Sequence, residues 1–168
     1  MPYARIHHGG HLAAIAKRTV VLAAALAVAM SVLVGSARPA GATTSLLSLR
    51  SSVVHLTNVA RAAKGCRPLK VSVRLTNAAQ GHATDMSRKH YFSHTSLDGT
   101  SWITRIRRAG WTTPGGENIA YGFLSPTGVL KAWMNSPGHR RNLLDCHFHY
   151  IGVGYASGGH YWDQDFGY

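Results

Sequence analysis

The apolar positions along the chain change their spacing several times, and each change marks an element. From Leu46 to Lys64, residues Leu49, Val53, Leu56, Ala60 and Ala63 step by four and three. That spacing predicts one face of a helix, which Gly65 ends. "VSVRLTNAAQGHATDMSRKHY" begins extended and becomes helical, with Leu75, Ala79, His82, Met86 and, at its end, His90 on one face. His82 there reads as a hydrogen-bonded core or rim histidine rather than a ligand. Asp98-Gly99 signals a turn. "SWITRIRRAG" (101–110) predicts a short helix with Trp102, Ile103 and Ile106 inward and Gly110 as its stop. "WTTPGGENIAYGF" predicts a loop with a short apolar segment after Glu117. In "SPTGVLKAWMNS", Ser125 is placed to cap a helix with Pro126 in its first turn, and Val129, Leu130, Trp133 and Met134 form the buried face. The chain then turns through Pro137-Gly138 and restarts at His139. "HYIGVGYAS" and "HYWDQDFGY" read as two strands joined across Gly158-Gly159, a hairpin whose aromatic residues are core. Helices ahead of a terminal antiparallel hairpin predict an α+β layered domain.

The first forty residues break this picture. Arg5, Lys17 and Arg18 precede an uncharged apolar run, "VVLAAALAVAMSVLV" (20–34), and Ala40 and Ala42 then form a small-x-small site. Basic region, apolar core and small-residue site predict a secretory signal at 1–42, leaving one domain at 43–168. The uncharged stretch from Thr19 to Ala37 is nearly long enough to span a membrane, but it is Ala-rich and weakly apolar.

Charge changes the list of partners. The chain has 18 basic and 6 acidic residues, and four of the basic ones (Arg5, Lys17, Arg18, Arg38) lie in the leader. The remainder carries 14 against 6, a balance of +8. An exported basic protein meets anionic lipid headgroups, wall polymers and acidic glycans. No nucleic-acid module and no basic run interleaved with aromatics is present, so nucleic acid is not an expected partner. The two cysteines, Cys66 and Cys146, both lie in the exported part, where one disulfide is the simplest expectation. It would close a loop of about 80 residues, worth about 4–5 kcal/mol in the chain-entropy model. A two-cysteine metal site remains open, although its usual spacing is absent.

Candidate chemistry sits at breaks in the pattern. His94 follows a helix, Glu117 lies in a Gly-Gly loop, Ser136 ends the Trp133 helix and His139 begins the next turn. Two histidines and a carboxylate brought together by folding could hold a divalent metal, or do acid–base work with Glu117 fixing a histidine tautomer. His147 and His149 in "HFH" share a face of an extended segment, as a metal pair or as exposed histidines beside the cysteine. HExxH, GxSxG, GxGxxG and P-loop motifs are all absent.

The fragments "RAAKGC…PL", "AAQGHATDM", "YFSHTSLDG", "GENIAYG", "WMNSPGHRRNLL" and "IGVGY…YWDQDFG" occur together in one order. In that order the chain resembles bacterial CAP-domain proteins, from Leu47 to Tyr168. This is the superfamily of cysteine-rich secretory, antigen 5 and plant pathogenesis-related 1 proteins, also called the SCP domain. The resemblance implies a single-domain three-layer α–β–α sandwich with the hairpin in its central sheet. It implies a cleft lined by His94 ("FSH"), Glu117 ("GEN") and His139 ("PGHR"). Many eukaryotic members carry a second acid three residues past the helix tryptophan, and here that position is Ser136. The resemblance also implies zinc or another divalent ion between His94 and His139, and it supports a Cys66–Cys146 pair. Asn118 and Asn142 are expected to be buried amides that hold the two site loops, and Gly138 to supply a backbone geometry that disfavours a Cβ.

The superfamily has no single shared reaction, so fold does not decide function. One expectation is a secreted, monomeric binding module for an envelope lipid, glycan or protein, associating peripherally with anionic surfaces. Its alternative is a metal-assisted hydrolase in which His94 and His139 hold the ion and Glu117 orients its water.

Overall fold

The computed structural model describes residues 40–168, with side chains from residue 46 onward; the expected signal segment lies outside the described residues. Helix α1 (Ala40–Lys64) leads into a two-residue strand β1 (Lys70–Val71). Helix α2 (Val73–Lys89) begins at Ser72, whose hydroxyl accepts from the Leu75 amide, and ends at His90 in the left-handed region (φ 53°). Next come α3 (Trp102–Arg108), β2 (Pro114–Ala120), α4 (Pro126–Asn135) and α5 (Pro137–Leu143). Ser125 caps α4 as expected, accepting from the Gly128 amide. Strands β3 (Tyr150–Ala156) and β4 (Tyr161–Gly167) form the hairpin. The sheet order is β1-β3-β4-β2, with β1 parallel to β3 and the other pairs antiparallel. Helices cover both faces, which is the three-layer sandwich expected, and Gly41–Tyr168 forms one compact unit.

Glycine sets the spacing of one layer. On β3, Gly152 and Gly154 face α2, and a Cβ on Gly152 would lie 2.1 Å from the backbone of Leu75 and Thr76. The helix therefore rests directly on the strand backbone. Leu75, Ala79, His82 and Met86 are all buried against it. On the other face Ile151, Val153, Trp162 and Phe166 pack with Val53, Val129, Trp133 and Leu143 of α1, α4 and α5.

Four expectations change. Residues 114–120 form a strand rather than a loop, because backbone pairing with β4 stabilises a segment that lacks alternation. Of the expected α1 face, Val53 is buried and Leu49 packs against the core, but the fully buried line continues through Thr57 and Arg61 rather than Leu56, Ala60 and Ala63. Both polar residues find partners inside: Gln164 for Thr57, and the carbonyls of Arg67, Leu143, Asp145 and Phe148 for Arg61. In α3 only Ile106 is fully buried, and Ile103 is exposed. Gly138 lies inside α5 without a positive φ, and a Cβ there would meet only the Arg141 side chain at 3.8 Å.

Cys66 and Cys146 form a disulfide, which ties the turn after α1 to the segment after α5. His147 and His149 are exposed, and His147 pairs locally with Asp145. The second reading of "HFH" therefore holds.

Candidate functional site

Glu117 projects from β2 on the side covered by α2 and α3, and its side chain is 1% exposed. Its two oxygens are both engaged. Oε1 accepts from His94 Nδ1 at 2.7 Å, and Oε2 accepts from Arg105 Nη2 at 2.5 Å. Because the carboxylate can only accept, Nδ1 of His94 carries the hydrogen and Nε2 faces outward. Arg105 also donates to the His94 carbonyl, the Thr100 carbonyl and Ser96 Oγ. One guanidinium thus fixes both the acid and the loop that carries the histidine.

Two amides, Asn118 buried and Asn142 half-buried, hold the second loop. Asn142 Nδ2 donates to the Glu117 carbonyl and to Asn118 Oδ1, and Asn118 Nδ2 donates to the His139 carbonyl and to Gln164 Oε1. Asn118 and Asn142 therefore take the structural role expected of them. His139 and Ser136 line an apolar cavity of about 350 Å³ with Phe92, Ile119, Tyr121 and Trp133. Burial, and after it the neighbouring His94, hold the His139 imidazole below its usual range. Ser136 stands between α4 and α5 and makes no side-chain cap bond.

The structure brings His94 and Glu117 together, and His139 lies near enough to His94 to feel its charge. These three do not form the tightest ligand group. Among the described residues, the set whose ligand atoms all lie within 4.8 Å of one another is His82, Glu117 and Asp163, and all three are buried. His82 Nε2 donates to the Ser93 carbonyl at 2.8 Å. Burial first, then Arg105, push the His82 imidazole down, so it is held neutral. Asp163 and Asp165 stand on the α2 side of β4, opposite Ile119 and Glu117 in register. Both Asp163 oxygens and Oδ1 of Asp165 lack a hydrogen-bond partner. Burial, followed by Glu117 and then Asp165, raises Asp163 well above the usual carboxylic range, and burial and Glu117 do the same to Asp165.

Sequence reasoning placed His94, Glu117 and His139 but did not find Arg105, Asp163 or Asp165. A signal for the aspartates existed. In "YIGVGY" and "YWDQDF", the alternating glycines of one strand pair with the alternating aspartates of the next, Gly152 with Asp165 and Gly154 with Asp163. Glycines that admit a helix to contact distance also bury whatever stands opposite them.

The family model for the cysteine-rich secretory protein family (CAP) matches residues 54–166. The chain belongs to this family. It is 40% identical over 126 residues to the uncharacterized protein YkwD of Bacillus subtilis, covering 74% of this chain and 49% of that one. It is 35% identical over 103 residues to the uncharacterized membrane protein YlbC of the same organism, covering 61% and 30%. The CAP chain thus spans less than half the length of these relatives. An extracellular SCP-domain protein from Bacillus anthracis superposes with a TM-score of 0.68 at 31% identity, covering 71% of this chain and 40% of that one. No helix among the described residues is long and apolar enough to cross a membrane.

Proposed function

We propose that this CAP domain is an exported binding module that engages an anionic component of the cell envelope. The carrying observation is where the acids are. Glu117, Asp163 and Asp165, half of the chain's six acidic residues, are buried together. The exterior is therefore more basic than the composition alone implies. Beside the disulfide, a cavity of about 610 Å³ has Lys64, Arg140 and Arg141, against one acid, Asp145, around Met134, Pro137 and Leu144. Cationic side chains around an apolar floor suit a ligand with an anionic head and an apolar or sugar body. Ser136 in place of a second acid favours binding over turnover.

Co-sedimentation with anionic vesicles and with wall fragments tests this reading. Binding at low salt should weaken as salt rises, because exposed charges are screened within about 10 Å at 0.1 M. The double substitution Arg140→Glu, Arg141→Glu should reduce it further. No binding to either material at low salt sinks the proposal.

A metal-assisted hydrolase is the second reading, and the His94–Glu117 pair favours it. A carboxylate on Nδ1 is the partner that orients a ligating histidine. His94 and His139 would hold a divalent ion such as zinc, which when bound supplies an activated water. Equilibrium dialysis against zinc, comparing the wild type with His94→Ala and His139→Ala, tests it. Zinc retention unaffected by both substitutions removes this ion from the cleft.

A further inference from the structure

We propose that His82, Glu117 and Asp163, with Asp165 beside them, form a binding site for one small divalent cation of the Mn²⁺ or Zn²⁺ class, which shares Glu117 with the His94–His139 cleft but takes its other ligands from the buried interface of α2 with the sheet. The first support is the orphaned carboxylate. Asp163 is 0% exposed, and neither of its oxygens has a partner in good hydrogen-bond geometry, the adjacent Gln164 backbone amide contributing only weakly. Buried polar atoms are rarely left so, and a bound ion is one of the few ways to satisfy both oxygens at once.

Charge balance gives the second support. The buried group contains three carboxyl side chains and one permanent cation, Arg105. Burial favours the protonated forms of Asp163 and Asp165 in the empty site, so binding must release those protons; the three carboxylates then left, with Arg105 and a neutral His82, carry two uncompensated negative charges. One divalent ion closes that deficit, and a monovalent ion does not.

Donor chemistry gives the third. One imidazole with carboxylate oxygens suits first-row ions better than Ca²⁺ or Mg²⁺, which prefer oxygen alone. His82 gives its Nε2 hydrogen to the Ser93 carbonyl, which leaves the lone pair on Nδ1, 3.5 Å from the Tyr91 hydroxyl. Ligation through Nδ1 requires it to exchange the Tyr91 hydroxyl for the ion, with the Nε2 hydrogen on the Ser93 carbonyl fixing the ring as backbone carbonyls do for other ligating histidines. Bonds of about 2.0–2.2 Å put two donors at most about 4.4 Å apart. The observed spread, within 4.8 Å, needs only a small contraction. Each Glu117 oxygen already accepts one hydrogen bond and keeps a second lone pair. His82 and Arg105 also line a polar cavity of about 190 Å³ together with Asp85, Asp98, Lys89 and Arg108.

Isothermal titration of chelator-treated full-length protein with Mn²⁺, Zn²⁺ and Ca²⁺ tests the site. The wild type should bind one equivalent of Mn²⁺ or Zn²⁺ and hold Ca²⁺ far more weakly. Asp163→Asn, which preserves shape, and His82→Gln should each weaken binding about 100-fold or more, at least the loss seen when outer-shell partners of metal ligands are changed. His94→Ala, which removes a hydrogen bond to Glu117 but no ligand, should weaken binding about 10-fold, less than either ligand substitution. Circular dichroism of each variant confirms that it is folded. The proposal is overturned by three results: no binding of either ion by the wild type, undiminished binding by Asp163→Asn, or loss in His94→Ala and His139→Ala with Asp163→Asn unaffected. Vesicle binding plays no part in this experiment, so the envelope proposal and the ion proposal fail separately.

Discussion

On one face of β4, Gln164 donates to Thr57 and accepts from Asn118, which in turn holds the His139 carbonyl. On the other face, two residues at the same depth, Asp163 and Asp165, leave three oxygens without a partner. Both faces are fully covered by helices, so burial does not distinguish them. What differs is satisfaction. The amide face is a closed hydrogen-bond network joining α1, the sheet and α5. The acid face is an open one, closed only where Arg105 and His94 reach Glu117. Closed networks specify structure, whereas open buried charge has a stability cost that a ligand can remove.

The amide face should therefore break when it is cut. Arg61→Ala removes the donor to four carbonyls and should cost about 4 kcal/mol in urea unfolding, the largest effect here. Gly152→Ala tests the contact that closes the acid face. With α2 at 2.1 Å it should cost about 3 kcal/mol and lower the thermal midpoint accordingly. Gln164→Leu should cost about 2 kcal/mol by orphaning Thr57 and Asn118.

The acid face should respond with the opposite sign. The folded-state pKa values of Asp163 and Asp165 are raised above the unfolded value. Below about pH 4 both states hold these protons, and this part of the stability is fully present. As pH rises from there toward the folded values, the unfolded chain loses the protons first and stability falls. In chelator, wild-type urea midpoints should decline over that range. Asp163→Asn should flatten the decline and gain about 1 kcal/mol at pH 7. A steeper decline in the variant contradicts the reading.

Much of the outer site was legible because it is local. Ser125 and Gly65 punctuate helices by their own chemistry, and His94, Glu117 and His139 sit in short motifs with fixed neighbours. The disulfide followed from two cysteines and an export signal, with support from the family resemblance. The sandwich came from that resemblance as well as from the element order. Strand β2 was not legible as a strand, since "PGGENIA" has no alternation and is held by pairing with a segment 47 residues away. Thr57 and Arg61 were not among the apolar positions that defined the α1 face, and only their distant amide and carbonyl partners account for their burial. Asp163 and Asp165 alternate with aromatics as a solvated strand face would. Their burial depends on α2 closing over glycines in another strand, a tertiary fact that one strand's pattern does not contain.

Co-crystallisation with Mn²⁺ and an anomalous difference map is the most direct test of the contrast between the faces. One anomalous peak among His82, Glu117 and Asp163 is the predicted result, with the amide face unchanged. A peak confined to His94 and His139, or no peak at all, would contradict it.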